Sequence, residues 1–133
     1  MIKFQDIKIG DYLLAEYEGK HWEGEVISLQ KDQQLVQVLT EVQEFWFDTK
    51  HLFPIPLSVA SLLKLNFIPT TTEDGSLKYM KGAFRIVTGK IHDDFSEIEM
   101  WYREDKRHNP HVQYVHELQN QYYDMTKVHL TAD

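Results

Sequence analysis

The fold of the N-terminal part is decided by residues 10–26, which read GDYLLAEYEGKHWEGEV. Apolar and polar residues alternate on both sides of Glu18-Gly19-Lys20, and this two-residue period is typical of β-strands with one buried face. The glycine-containing tripeptide supplies the turn. The segment therefore predicts strands over Tyr12–Tyr17 and, roughly, His21–Leu29.

The alternation continues towards residue 56. Leu35–Leu39 alternates around two valines, Glu44–Asp48 carries three consecutive aromatic residues, and the chain then reaches Leu52-Phe53-Pro54-Ile55-Pro56. Turn-forming residues recur about every ten positions between these runs. Four or five short, twisted strands in so small a segment close most economically into a barrel, so we expect a small β-barrel over residues 1–56.

Residues 8–56 also carry a family resemblance. Its elements are Gly10-Asp11-x-x-x-Ala15-x-Tyr17-Glu18-Gly19-Lys20-x-Trp22-x-x-x-Val26, then Val36-x-Val38, Phe45-Trp46-Phe47 and Leu52-x-Pro54. This pattern resembles the Tudor-type branch of small SH3-like barrels. The resemblance implies a barrel that holds a methylated lysine or arginine in a cage of aromatic side chains, by cation–π attraction of about 0.5–2 kcal/mol per contact.

The chain departs from that family at the cage. Glu23 stands directly after Trp22, where the family commonly has an aromatic residue, and the turn Thr40-Glu41-Val42-Gln43 has no aromatic residue. Trp22 alone provides one wall. We therefore expect Trp22 to pack in the barrel core.

The pattern changes after Pro56. Ser58 is a suitable N-cap, and apolar residues at spacings of three and four predict a helix of about two turns that ends near Asn66. Leu77–Met80 and Ala83–Thr88 predict a hairpin, and alternation over Ser96–Arg103 predicts a further strand.

The clearest helical pattern lies near the C-terminal end. Val115, Leu118, Tyr122 and Met125 recur at intervals of three and four, so they lie on one stripe of a helix. The strands of residues 77–103 offer the sheet that buries this stripe. We therefore expect an α+β fold, in which the SH3/Tudor-like barrel is followed, over residues 57–133, by a short helix and an antiparallel β-sheet packed by a C-terminal amphipathic helix.

A second resemblance spans residues from about 6 to 130. It rests on Ile55-Pro56-Leu57, Leu62-Leu63-Lys64-Leu65-x-Phe67 and Tyr114-Val115-His116-x-Leu118-Gln119-Asn120-x-Tyr122. This combination resembles a group of small uncharacterised proteins from Bacteroidetes genomes and their phages. The resemblance implies a lineage and a fold organisation, and it supplies no catalytic residues.

The charge of the chain is unevenly distributed. Fourteen Lys and Arg against twenty-one Asp and Glu give a formal net charge of −7. Residues 1–57 hold five basic and ten acidic residues, a net −5, whereas residues 58–133 hold nine and eleven, a net −2. Because an acidic surface repels phosphates and attracts cations, we expect a basic protein partner for the barrel, and nucleic-acid binding is disfavoured.

Composition also bears on location. The chain has no cysteine, which excludes disulfides and thiolate metal sites. Its first residues lack the regions of a signal peptide, and no apolar run reaches the roughly 18 residues that span a bilayer. We therefore expect a soluble, cytoplasmic protein that makes no membrane contact.

Motifs for catalysis and cofactor binding are missing from the sequence. It contains neither a glycine-rich phosphate loop nor a Gly-x-Ser-x-Gly elbow. The acidic pairs Asp93 with Asp94 and Glu97 with Glu99 fit a solvated surface better than acid–base chemistry. We expect no catalytic residues and no cofactor.

Three histidines invite a metal hypothesis. His108, His111 and His116 are close in sequence, but Pro110 fixes the backbone between the first two and the spacing is poor for convergence. His116 also opens a zinc-protease-like helix motif, in which Asn120 stands where the second histidine ligand is required. We expect no metal site.

The aromatic run of residues 45–47 indicates a partner surface. Alternation sends Trp46 to the side opposite its two neighbours. Burial of Trp46 against the second half is the favoured alternative, and an exposed Trp46 beside Glu44 would be a binding hot spot for a basic partner. We predict a non-catalytic protein-interaction module whose partner-binding residues are Trp22, Glu23, Glu44 and Trp46.

Two alternative functions remain open. The residues Trp101, Tyr102, Arg103, Lys106 and Arg107 interleave basic and aromatic side chains, a pattern that contacts single-stranded nucleic acid, although a mixed-sign turn is the commoner explanation. The other alternative is a phage-encoded acidic inhibitor that occupies the nucleic-acid groove of a host defence protein.

Overall fold

The computed structural model describes residues 2–108 and 111–132. These residues form two compact units. One unit comprises the residues up to Ile55 together with Tyr114–Asn120, and the other comprises Pro56–Gln113 together with the residues from Gln121 onward.

The first unit is built on a curled, five-stranded antiparallel sheet. Its strands are β1 (Tyr12–Tyr17), β2 (Lys20–Gln30), β3 (Leu35–Thr40), β4 (Glu44–Asp48) and β5 (Leu52–Phe53). Their order is β4-β3-β2-β1-β5, so the last strand returns to pair with the first. The sheet is a half-barrel with β4 and β5 at its edges, and the predicted strands of this region are confirmed.

Inward-facing side chains fill the concave side of this sheet. Six of them have no exposed surface, namely Leu13, Ala15, Val26, Val36, Val38 and Leu52. The register of β2 against β3 shifts between Val26 and Ser28. A bulge of this kind bends its strand and increases the local twist, which is how so short a sheet curls around its own core.

Gly24 lies where β2 passes close to β3. A Cβ added there would lie 2.5 Å from Cγ1 of Val38 and 2.9 Å from the carbonyl oxygen of Leu39. The valine side chain can rotate, but the carbonyl belongs to the backbone of the sheet and cannot withdraw. We expect Gly24→Ala to lower the free energy of unfolding by about 1–3 kcal/mol, as overpacking does, in urea unfolding followed by circular dichroism.

Gly89 is the matched control for that substitution. A Cβ added at Gly89 meets no atom within 4 Å. Gly89→Ala should therefore leave the unfolding midpoint nearly unchanged, and an equal loss in both variants would contradict the steric argument.

The second unit contains a short helix and a second five-stranded antiparallel sheet. The helix α1 covers Val59–Lys64, and the strands are β6 (Ile68–Thr71), β7 (Leu77–Lys81), β8 (Phe84–Val87), β9 (Glu99–Tyr102) and β10 (Asp105–His108). The strands follow one another in the order β10-β9-β8-β7-β6. The predicted hairpin of residues 77–88 is confirmed.

The predicted N-cap of α1 is also confirmed. The Ser58 hydroxyl accepts a hydrogen bond from the Ser61 N–H at 3.0 Å, and the Ser61 hydroxyl accepts one from the Ser58 N–H at 2.8 Å. This reciprocal pair satisfies two backbone donors at the start of a helix that is too short to be stable alone.

Two stretches of the second sheet differ from the expectation. Residues 103–108, read as a mixed-sign turn, contain β10, which pairs with β9 and has all four of its residues exposed. The strand expected over Ser96–Arg103 is shorter, because β9 begins at Glu99. An exposed edge strand needs no apolar alternation, so its sequence resembles that of a turn.

The C-terminal helix α2 covers Val115–Thr126. Val115 and Leu118 of the predicted stripe are buried, and the ring centroid of Tyr122 lies 4.7 Å from that of Phe84 in β8. The helix also contacts β1, where the Tyr12 N–H donates to the Gln119 side chain. The expected α+β class is confirmed, and among the described residues no helix has the length and apolar character needed to cross a bilayer.

Candidate functional site

A hollow walled by aromatic rings lies at the end of the half-barrel where β1 turns into β2 and β3 into β4. It is lined by Ala15, Tyr17, Trp22, Thr40, Val42, Gln43, Phe45 and Phe47. The ring centroids of Tyr17 and Phe45 are 4.9 Å apart, and those of Phe45 and Phe47 are 6.3 Å apart. Phe47 is buried, whereas Tyr17, Trp22 and Phe45 each keep part of their surface exposed. We call this site the aromatic hollow.

Two tight turns form the rim of the aromatic hollow. Glu18 and Gly19 have φ angles of 52° and 75°, the left-handed conformation that suits a two-residue hairpin turn. In the other turn, the Thr40 hydroxyl donates to the Gln43 carbonyl at 3.0 Å and accepts from the Gln43 N–H at 3.2 Å. These bonds close the second turn, and the two turns contain the exposed carboxylates of Glu18 and Glu41.

The structure divides the four predicted partner-binding residues between two faces of the sheet. Trp22 pairs with the fully buried Ala15, so it lies on the concave face and lines the hollow. Glu23 is next along the strand and therefore faces the convex side. Glu44 and Trp46 also lie on the convex face, since they flank the inward-facing Phe45.

Trp46 is exposed over 46% of its surface. The favoured expectation of a buried Trp46 is therefore wrong, because this side chain points outward from the edge strand β4. It pairs with Gln37, whose amide donates to the Glu44 carboxylate at 2.7 Å, and Leu39, also 46% exposed, pairs with Glu44. An exposed tryptophan and leucine thus lie beside a carboxylate on the convex face.

Trp22, expected to pack in the barrel core, lies on the concave face at the end of that core. Trp22 is partly exposed, and Tyr17 and Phe45 stand with it around the same hollow. Alternation in each strand predicts that all three side chains face inward. Their meeting at one end depends on the register of β2 with β3, which the bulge shifts, and no local sequence pattern reports that register.

The predicted basic and aromatic group is likewise divided between two faces, here of the second sheet. Trp101 and Lys106 pair directly and share one face, whereas Tyr102 and Arg107 pair with the buried Phe84 and Met100 and so lie on the opposite one. Arg103 lies in the turn between β9 and β10 with a φ of 57°. Sequence reasoning missed Arg85, which pairs with Trp101 from the other side.

The three histidines occupy different environments. His108 is exposed in β10 and His111 is exposed beyond it, whereas His116 is 5% exposed in the first turn of α2. Burial lowers the pKa of His116, and its Nδ1 has no hydrogen-bond partner within the described residues. Throughout residues 2–108 and 111–132, no three histidine or carboxylate side chains are grouped to hold a metal ion.

A second hollow, in the second unit, is acidic. Its lining includes four carboxylates, those of Asp74, Asp94, Glu97 and Glu99, together with the His108 imidazole. Hydrogen bonds from Thr72 and Ser76 lower the pKa of Asp74 to about 2, and hydrogen bonds from Ser96 lower the pKa of Asp94. Both carboxyl groups are therefore ionised near neutral pH, when neither can serve as a general acid.

A buried polar network ties α2 to the start of β1. The Gln119 side chain accepts from the Tyr12 N–H and donates to the Gly10 carbonyl, both at 2.8 Å. Asp11, only 3% exposed, accepts from the Lys8 N–H at 2.8 Å and from the Asn120 amide at 3.3 Å. Burial raises the pKa of Asp11 to about 6.

Comparison of the chain with protein-family models, with curated proteins and with solved structures finds no match. The geometry therefore carries the functional argument.

Proposed function

We propose that the N-terminal unit is a non-catalytic protein-interaction module that holds a cationic side chain of a basic partner in the aromatic hollow. The observation that carries this proposal is the meeting of Tyr17, Trp22 and Phe45, three partly exposed rings, around one hollow.

Ring geometry supports a cationic ligand. An ammonium or guanidinium group within about 6 Å of a ring centroid is attracted by the negative face of the ring, by about 0.5–2 kcal/mol per contact. Tyr17 and Phe45 pack against each other with their ring planes tilted by 52°, and both line the hollow together with Trp22. Several rings around one cation add their attractions and exclude water from it, which is why such a hollow selects a cation over a neutral side chain.

Charge supports the same ligand. The first 57 residues hold ten acidic and five basic side chains. Glu18 and Glu41 are exposed in the two rim turns, and Glu44 follows in β4. Acidic groups around a binding site accelerate the encounter with a basic partner and repel acidic competitors.

The resemblance to Tudor-type SH3-like barrels agrees with this proposal, because members of that group hold cationic side chains in aromatic cages. Trp46 and Leu39 on the convex face offer a second apolar contact to a partner that extends past the edge of β4. We assign the cation to the hollow, and we assign Trp46 and Glu44 to this outer contact.

The test is binding of a fluorescein-labelled oligolysine peptide, and of its trimethyllysine counterpart, measured by fluorescence anisotropy. We expect Trp22→Ala to weaken binding about tenfold, since the best ring for a cation is lost. Tyr17→Ala should also weaken binding, whereas Tyr17→Phe keeps a ring and should bind as the parent does. Oligoglutamate serves as the charge control and should not bind.

Trp46→Ala is the matched tryptophan control on the convex face. If Trp46→Ala weakens peptide binding and Trp22→Ala does not, the hollow is not the site and the proposal fails. Equal binding by the parent and by both Trp22→Ala and Tyr17→Ala, with unchanged circular dichroism, would also overturn it.

A further inference from the structure

The second sheet has one covered face and one open face. Tyr79, Phe84, Ile86 and Met100 on the covered face are at most 2% exposed. The opposite face follows from the strand register and consists of Ile68, Thr70, Lys78, Met80, Arg85, Val87, Glu99, Trp101, Lys106 and His108. All ten are partly or fully exposed. We call this surface the open sheet face.

The open sheet face is cationic although the chain as a whole is acidic. Its charged residues are Lys78, Arg85 and Lys106 against the single carboxylate Glu99, a net +2 with His108 neutral. Residues 1–57 carry a net −5 of the chain's −7, and the acidic hollow borders the open sheet face along the row of Val87, Glu99 and His108. Arg85 and Lys106 flank Trp101 in the next row of the face, and such a local group of basic residues lets an acidic protein still attract a phosphate backbone.

Trp101 lies on β9 between two cations of this face. The guanidinium of Arg85 lies 5.1 Å from the ring centroid and the ammonium of Lys106 lies 5.3 Å from it. The register places Arg85 and Lys106 on the strands to either side of Trp101. Because neighbouring strands are about 4.8 Å apart, these two residues bracket the indole across roughly 10 Å.

The two cations are held differently. Arg85 donates from Nη2 to the Arg103 carbonyl at 3.0 Å, which anchors it against the sheet. Lys106 is exposed, and its ammonium lies 3.3 Å from the Glu99 carboxylate. A single surface ion pair of this kind is weak, so Lys106 can exchange it for another anion.

We propose that the open sheet face binds single-stranded nucleic acid, with Arg85, Lys106 and Lys78 contacting phosphates and one base stacking on Trp101. Lys106 leaves the indole for a phosphate and so clears one face of the ring for the base. An open sheet face that displays an aromatic residue among cations favours a single strand, whose bases can turn onto the surface, over a duplex, whose bases are stacked inside. An acidic protein segment would satisfy the cations but leave the indole without a planar partner.

The test is binding of a fluorescein-labelled oligo(dT) of roughly 16 nucleotides to the full chain, measured by anisotropy at about 50 mM salt and above. We expect Trp101→Ala to weaken binding about tenfold, as the loss of one stacked base does. Three phosphate contacts predict that log K falls with log salt at a slope near −2, and Lys106→Gln should make the slope shallower by about 0.7.

Two controls and one gain-of-function variant complete the design. Lys31→Gln removes an exposed lysine from the other unit and Tyr123→Ala removes an exposed aromatic ring from α2, and both should bind as the parent does. Glu99→Gln removes the one carboxylate of the face and should tighten binding, an outcome that misfolding cannot produce.

The proposal fails if the parent chain shows no salt-dependent binding of oligo(dT) at the lowest salt. It also fails if the Lys31 and Tyr123 controls weaken binding as much as the variants of the open face, or if Glu99→Gln leaves binding unchanged. Binding of an oligoglutamate peptide in place of oligo(dT) would assign the face to an acidic protein segment and overturn the assignment to nucleic acid.

Discussion

Replacement of Gln119 by leucine is expected to lower the free energy of unfolding of the N-terminal unit by about 2–5 kcal/mol. The Gln119 side chain is 4% exposed, and its amide serves both the Tyr12 N–H and the Gly10 carbonyl at 2.8 Å. Leucine fits a similar volume but can neither accept nor donate. Loss of a hydrogen bond to a backbone group shielded from water costs about 1–3 kcal/mol, and this substitution removes two such bonds, to the half-buried Tyr12 and Gly10.

Two measurements test the Gln119 prediction. Urea unfolding reports the loss of stability, and hydrogen exchange reports its location, because the Tyr12 amide should lose protection in the variant before the interior of β2 does. Gln33, exposed in the turn between β2 and β3, is the matched control, and Gln33→Leu should leave the midpoint unchanged. An unchanged midpoint for Gln119→Leu would show that the amide does not hold the start of β1.

The strands that the sequence predicts correctly are those in which one face is buried. β1 and β3 alternate between buried and partly exposed side chains along their length, and the stripe of α2 follows the helical period. The N-cap of α1 is also predictable from the sequence, since the serine at its start accepts the expected backbone hydrogen bond. In each case the determining physics lies within a few residues along the chain.

The parts that sequence reasoning missed depend on long-range pairing. In the sequence, Gln119 is one more polar residue of a predicted helix. Only the folded structure places it beside Tyr12, which is 107 residues away. The sequence predicts only that Arg85 lies in a strand, and the register of β8 with β9 places it beside Trp101. The aromatic hollow likewise depends on a bulge in β2. The candidate sites in this protein therefore depend on the register between paired strands. The alternation of apolar and polar residues within one strand does not determine that register.

The pH dependence of the free energy of unfolding should show the contribution of the buried Asp11 carboxyl group. Burial raises the pKa of its carboxyl group from 3.8 to about 6, so the folded state binds a proton more tightly than the unfolded chain does. The stabilisation from this proton is fully present below pH 3.8 and is lost as the pH rises through about 6. A pKa difference of about two units corresponds to roughly 3 kcal/mol in total, and Asp11 should remove most of this stabilisation between pH 4 and pH 7.

Asp11→Asn separates this contribution from those of the other acids. Asparagine keeps an oxygen to accept from the Lys8 N–H, at the position where Asp11 accepts at 2.8 Å, and it carries no charge to desolvate. The variant should therefore be more stable than the parent at pH 7 and should lose that advantage at pH 4. The measured quantity is the difference in unfolding free energy between variant and parent across this range, by urea unfolding at each pH.

Asp74→Asn provides a control of opposite sign. Hydrogen bonds from Thr72 and Ser76 lower the pKa of Asp74 to about 2, so its stabilisation is present above pH 3.8 and is lost as the pH falls through about 2. The Asp74 variant should accordingly be less stable than the parent at pH 7. If Asp11→Asn is instead less stable than the parent at pH 7, the ionised carboxylate stabilises the fold through its hydrogen bonds from Lys8 and Asn120. That stabilisation then exceeds the free-energy cost of burying the charge. The bond from Asn120 in α2 to Asp11 would then add to the two bonds of Gln119 in holding the helix to the start of the sheet.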